Sequence, residues 1–364
     1  GAGMVLLREK KTGVMFQYIV NATLNYYVKW EAPPSYNFPE PFDYLVAEPP
    51  VNVTKKPVDV ALHCWGGWLN QCYGWWYRTQ NGSLLVATNQ APFDWWSGFH
   101  ENYGTLKPFT KGVVQDYSFR RIRGFMDNFV VKNWNINTDE IMLHGVSMGG
   151  SGTSLLGLRN GDYFSQTNSW VGVHTPAETP TFKGSYEGVF GKYEWGVKYE
   201  NTNMSVWDYA DSTQWLRNNL KKETPHMSFT NGKNDGAIGW PQAWKFVKAM
   251  IETKRPFSFN WGMGSHGQRA LFPGGGENTL YPGMVLRLHQ SVPAFANGSL
   301  DDNLGETPEA AVDTGKINYW YLWDTETIVD NTSQWEMTFF LPPKAPQDSA
   351  TADMTPRRLQ SFSL

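Results

Sequence analysis

At 364 residues, 41% of them apolar, the chain is long enough to bury one large core, or a large and a small one. Charged residues make up 18%, the net charge is −3 and the pI lies near 6.2, which leaves no basic field for a nucleic acid. No run approaches the roughly eighteen apolar residues that a membrane-spanning helix needs, so a soluble protein is expected.

In chain order, residues 15–20 and 23–30 are rich in β-branched and aromatic side chains and predict two strands, with Asn21 and Ala22 between them. Pro33, Pro34, Pro39, Pro41, Pro49 and Pro50 then punctuate a connection. From residue 57 short apolar runs alternate with helical patterns. Runs at 58–62, 84–87 and 141–143 predict buried strands, as do 170–173, 227–230 and 257–261. Residues 113–131 place Val114, Tyr117, Ile122, Phe125, Phe129 and Val130 at helical spacing, and 207–220 and 241–253 predict further helices. This alternation predicts an α/β fold, a mostly parallel central sheet flanked by helices. Beyond about residue 290 the chain is loop-like until strands at 317–323 and 335–341, and another alternating run begins at 359–364. The expected organisation is N-terminal strands (4–56), an α/β catalytic domain (57–290), a linker (291–316) and a small all-β C-terminal appendage (317–364).

Aromatic residues are the outlying figure, 15% of the chain with 18 tryptophans, and point to some of them gripping rings or sugars. Cys64 and Cys72 are the only cysteines. They are too few for a zinc site, and either form a disulfide closing a short loop or remain thiols. Gly1-Ala2-Gly3-Met4 reads as a cloning scar that a native leader would precede. It leads to the expectation of a secreted or periplasmic protein, while six Asn-x-Ser/Thr sequons, at Asn21, Asn52, Asn81, Asn203, Asn297 and Asn331, imply glycosylation only in a eukaryotic secretory pathway.

The segment that carries chemistry is Gly145-Val146-Ser147-Met148-Gly149. Its glycines permit a tight turn between the 141–143 strand and a helix from Gly150 onward, so that Ser147 projects from the strand end. The helix N-terminus leaves N–H groups free to face a developing negative charge. From Thr138 to Gly150 the chain resembles the nucleophile segment of α/β-hydrolases, closest in style to their esterase and prolyl-oligopeptidase-like branches. Ser-Met-Gly-Gly recurs in polyester hydrolases. The resemblance spans about 57–270.

It implies a Ser–Asp–His triad in that chain order. Asp235, in the Gly-rich loop after the 227–230 strand, is the candidate acid, with Asp208 and Asp211 as alternatives inside a predicted helix. His266, between glycines after the last strong strand, is the candidate base. His63-Cys64-Trp65-Gly66-Gly67 is similar to the family's oxyanion motif, with Cys64 where glycine is usual. Met148 and Trp65 are therefore the expected oxyanion donors, and His63 a brace for the loop. Loops after parallel strands open on the catalytic face. Trp65, Trp68, Trp75 and Trp76 follow the first core strand, and Trp95, Trp96, Phe99 and Tyr103 the second. Trp65, Trp68, Trp95, Trp96 and His100 are the expected substrate contacts. The implied activity is a serine carboxylesterase on a bulky aromatic or carbohydrate-linked ester, of feruloyl or polyester type, with no cofactor or metal. The alternatives are a peptidase of the prolyl-oligopeptidase kind and a carbohydrate- or partner-binding protein on a hydrolase scaffold.

Overall fold

The computed structural model describes residues 4–9, 12–15, 18–75, 78–268 and 285–362. Phe16, Gln17, Trp76 and the last two residues of the run at 359–364 lie outside these. Ten strands form one sheet among the described residues: β1 (Met4–Glu9), β2 (Thr23–Glu31), β3 (Glu40–Glu48), β4 (Lys56–Leu62), β5 (Leu84–Thr88), β6 (Ile136–Val146), β7 (Gln166–Trp170), β8 (His226–Gly232), β9 (Phe257–Gly262) and β10 (Gly315–Ile317). Their spatial order is β1-β2-β3-β5-β4-β6-β7-β8-β9-β10. The strands from β5 through β9 run parallel, and the rest are antiparallel. Parallel strands are covered on both faces, and every residue of β5, β8 and β9 is buried accordingly.

Helices α1 (Tyr117–Phe125), α2 (Met148–Arg159), α3 (Lys183–Phe190), α4 (Ser212–Asn218) and α5 (Trp240–Glu252) pack around this sheet. The helix predicted over 113–131 is in fact a strand (Val113–Gln115), then α1, then a π-helical turn at Met126–Val130. Asp116 explains the break, since its carboxylate caps α1 by accepting from Phe119 N–H at 3.2 Å. The helix predicted over 207–220 is split the same way by Asp211, which accepts from Gln214 N–H at 2.9 Å.

Several strands lay outside the predicted runs, β1 among them. β3 runs through the Pro-rich connection, and β7 precedes the predicted 170–173 run. The sequence of β7, Gln-Thr-Asn-Ser-Trp, has no apolar pattern, although four of its five residues are buried. Neighbours satisfy some of the sheet's polar side chains: the Ser228 and Ser258 hydroxyls meet at 2.9 Å, and the Asn260 amide donates to Thr230 Oγ1 at 3.0 Å. In β7, by contrast, Thr167 Oγ1 and both Asn168 side-chain polar atoms are buried without a hydrogen-bond partner among the described residues.

In the region expected to be a linker, Val292–Ala296 is a strand paired with Asp353–Arg357, and β10 closes the main sheet against β9. Leu322–Asp330 pairs with Trp335–Phe340, around a small core including Val292, Phe295, Tyr321 and Trp323. Arg358 donates to Ser165 O at 3.1 Å and Arg357 pairs with Glu223 at 3.0 Å, tying this region to the main body. No helix of the described residues is long and apolar enough to cross a membrane.

Candidate active site

Strand β6 ends at Val146 and α2 begins at Met148, leaving one residue to make the turn. That residue is Ser147, at φ +57°, a left-handed conformation that a side chain adopts only when its surroundings enforce it. Ser147 N–H donates to Trp170 O at 2.8 Å, and its carbonyl accepts from Ser151 N–H at 2.9 Å and Ser151 Oγ–H at 3.0 Å. The flanking glycines are a packing requirement. A Cβ on Gly145 would lie 2.5 Å from Gly149 backbone, and one on Gly149 only 2.0 Å from Leu62 O.

The loops after β8 and β9 bring the other two groups to this serine. His266 Nε2 lies 2.8 Å from Ser147 Oγ, and His266 Nδ1 lies 2.8 Å from Asp235 Oδ2. An ionised carboxylate only accepts, so Nδ1 carries the proton and Nε2 is free to accept from the serine hydroxyl. The other oxygen, Asp235 Oδ1, accepts from Ala237 and Ile238 N–H, both at 3.0 Å. Burial alone would raise this carboxyl's pKa. The bonds from His266, Ile238 and Ala237 outweigh it, and the group sits below its ordinary range. The acid and base loops also hold each other: Lys233 N–H donates to Gly262 O at 2.8 Å and Asn234 N–H to Gly264 O at 3.1 Å. Of this pair His266 is the more open, its side chain 38% exposed against 1% for Asp235. The alternatives to Asp235 are structural, since Asp208 bonds to Ser205 at a helix start and Asp211 caps α4.

Beside the serine, the loop after β4 presses on the first turn of α2, with His63 O 3.0 Å from where a Gly149 Cβ would be. The Cys64 carbonyl accepts from His63 Nδ1–H at 2.8 Å and from Gly67 N–H at 2.9 Å. His63 Nε2 accepts from Gln90 N–H at 2.9 Å, which fixes that tautomer. The Cys64–Trp65 peptide is trans and planar, so the Trp65 N–H points away from the two groups gripping its carbonyl. Burial lowers the His63 pKa to about 4, against the opposing bond to Cys64 O and with the help of nearby Arg121. The brace is therefore neutral near pH 7. Met148, the other expected donor, occupies the first helical position of α2, where N–H groups have no intrahelical acceptor.

Two expectations need correction, and one open alternative is decided. Trp95 and Trp96 are 1% and 0% exposed, so they are core, not cleft wall. The Trp95 indole donates to Ser185 Oγ at 2.8 Å and stacks on Tyr186, while Trp96 packs beneath the loop after β4. His100 is fully buried and stacks on Phe109 at 4.3 Å, so it does not line the cleft. Cys64 and Cys72 are both thiols. Each has its own acceptor, Gln71 Oε1 at 3.0 Å for Cys64 and Ala61 O at 3.6 Å for Cys72, and burial raises both thiol pKa values, leaving little thiolate to start an exchange.

Trp65 and Trp68, in the loop after β4, are exposed. Trp65 forms one wall of a cavity of about 390 Å³ with Pro92, Phe93, Tyr103 and the α3 residues Gly184 and Gly188. The ring centroids of Phe93 and Phe182 lie 5.1 and 6.0 Å from that of Trp65. The α3 contribution was invisible in the sequence, because its signal is two glycines rather than a recognisable side chain.

No protein-family model matches the chain, and no curated protein matches it in sequence. Solved structures do. An S-formylglutathione hydrolase from Agrobacterium tumefaciens superposes with a TM-score of 0.51 at 12% identity, over 72% of this chain and 92% of that one. An acylaminoacyl peptidase from Pyrococcus horikoshii matches at 15% identity and a TM-score of 0.47, over 68% of this chain and 38% of that one. At such identities the likeness is one of architecture, and the architecture is that of the α/β-hydrolases. The strand order and the strand–serine–helix turn described above agree with it.

Proposed function

We propose that this protein is a serine hydrolase that cleaves carboxylic esters through an acyl-enzyme. The observation that carries the reading is the relay of two 2.8 Å contacts, Ser147 to His266 and His266 to Asp235. His266 Nε2 takes the hydroxyl proton as Ser147 Oγ attacks the ester carbonyl, and Asp235 stabilises the imidazolium that forms. The Met148 and Trp65 N–H groups receive the oxyanion. Collapse expels the alcohol, which leaves with the proton from His266, and water then releases the acid by the same route in reverse.

The substrate reading is an ester with a bulky aromatic or carbohydrate-linked group, with feruloyl esters and aromatic polyesters as the model classes. Its support is the cavity lined by Trp65, Phe93, Tyr103 and two glycines, which offers aromatic surface for a ring to stack on and shares Trp65 with the expected oxyanion loop. A fluorophosphonate probe should label the wild type and not Ser147→Ala. A panel of p-nitrophenyl, feruloyl, acetyl-sugar and peptide-anilide substrates then defines the class. Trp65→Ala should raise KM for feruloyl esters several-fold while changing p-nitrophenyl acetate little. Turnover of the anilides in preference to the esters would make the protein a peptidase instead.

A further inference from the structure

Trp96 is a large side chain placed where no substrate reaches, on backbone that disfavours it. It is 0% exposed, and both it and Trp95 are left-handed, at φ +60° and +59°. A buried carboxylate holds the turn. Asp94 Oδ1 accepts from Trp96 N–H at 2.9 Å, and Asp94 Oδ2 accepts from Gly98 N–H at 3.0 Å and from the Ser118 hydroxyl.

What this turn presents is a wedge between the two carriers of the oxyanion donors. On one side the Trp96 indole N–H donates to His63 O at 3.1 Å, one peptide unit before the Trp65 N–H. Its ring also meets the His63 imidazole edge-on, with centroids 5.1 Å apart. On the other side, Trp96 Cβ lies 2.4 Å from where a Cβ on Gly152 would be, so the side chain rests directly on the first turns of α2. Leu62 O and His63 O lie 2.0 and 3.0 Å from where a Cβ on Gly149 of the same helix would be, so the helix, the loop and the wedge are in mutual contact.

We propose that Trp96 is a positioning residue that sets the separation between the Trp65 and Met148 N–H groups. This rests on the hydrolase reading of Ser147. Through one indole bond and one helix contact, the wedge holds the loop after β4 at a fixed height above α2. Donors to an oxyanion act by being placed before charge develops, so a shift of the loop costs transition-state stabilisation and leaves ground-state binding nearly untouched.

The test compares Trp96→Phe, which keeps a ring and deletes the N–H, with Trp244→Phe, which deletes an indole bond to Leu304 O elsewhere. Gly152→Ala is the second variant, pushing on Trp96 from the helix side. Both site variants should lower kcat for p-nitrophenyl acetate about tenfold or more with KM within twofold. Affinity for a trifluoromethyl ketone, which forms the tetrahedral adduct, should weaken by the same factor. Trp244→Phe should change neither. If the site variants fold and keep both kcat and inhibitor affinity, the proposal is overturned while the hydrolase reading stands. If the wild type takes no fluorophosphonate label at Ser147, the hydrolase reading fails and takes this proposal with it.

Discussion

Two turns at the catalytic edge of the sheet place left-handed backbone on residues other than glycine, and they sustain it by different means. At Ser147 the neighbours are cut to glycine, so that strand β6, helix α2 and the end of β4 approach within backbone contact. At Trp95 and Trp96 the strained residues themselves carry the largest side chains, with Gly98 and Gly152 making room beside them, and the turn is held by one buried carboxylate, Asp94, with its three donors. Left-handed conformations of this kind cost about 1–3 kcal/mol each and persist only where the surroundings over-determine them. The first device works through side-chain size and the second through hydrogen bonds.

The comparison breaks most visibly at the elbow. Gly149→Ala would place a methyl group 2.0 Å from Leu62 O and 3.0 Å from His63 O, with backbone on that side unable to yield. The expected outcome is a loss of about 3 kcal/mol or more, or no soluble protein at all. Urea unfolding checks it, and a variant of wild-type stability would show that the close approach is not obligatory. Asp94→Ala attacks the other turn. It strands two buried N–H groups and a hydroxyl, at roughly 1–3 kcal/mol for each that finds no water. A melting temperature unchanged from wild type would mean that the turn does not depend on its carboxylate.

A gentler probe of the same carboxylate uses pH. Burial, opposed by the bonds from Ser118, Trp96 and Gly98, raises Asp94 to about pKa 6. A raised acid contributes stability that is fully present below its unfolded value near 4 and lost as pH climbs through 6. Asp94→Asn has no such dependence. Wild type should therefore lead the variant by the widest margin near pH 4, and that lead should shrink by on the order of 2–3 kcal/mol by pH 7.5. Paired denaturation curves at the two pH values decide it. A margin that widens with pH would reverse the sign and refute the assignment.

The same contrast explains what could be read from the sequence. The elbow was legible because steric constraint writes glycines at fixed offsets, and Asp235 and His266 followed from strand-end position and chain order. The parallel strands were legible where burial demands apolar runs, as in β4 and β5. β7 was not, because Gln-Thr-Asn-Ser carries no apolar run: the Ser169 hydroxyl donates to Gly150 O at 2.7 Å, while Thr167 Oγ1 and the Asn168 amide are buried without a hydrogen-bond partner among the described residues. The tryptophans after β5 were misread for a related reason. Composition says that aromatics are plentiful near the site, but whether a ring faces the cleft or the core is decided by φ at Trp95 and Trp96 and by a carboxylate two positions upstream. Neither leaves a periodic trace. Asp116 and Asp211 start helices inside runs that periodicity alone read as single helices.

The smallest effect separates glycine that packing requires from glycine that it does not. Nothing lies within 4 Å of where a Cβ would stand on Gly188 or on Gly184 one turn earlier, and both face the cavity beside Trp65. Within a helix such glycines are a net cost, so Gly188→Ala should stabilise the protein by about 0.5–1 kcal/mol, the opposite sign from Gly149→Ala. If the open space is kept for a substrate ring, the added methyl should also raise KM for a feruloyl ester while leaving p-nitrophenyl acetate unchanged. Thermal melting and steady-state kinetics on one variant thus read two independent quantities. Higher stability with unaltered KM would leave the helix argument intact and remove these glycines from the account of specificity, whereas lower stability would mean that α3 packs more tightly than the open space around Gly188 implies.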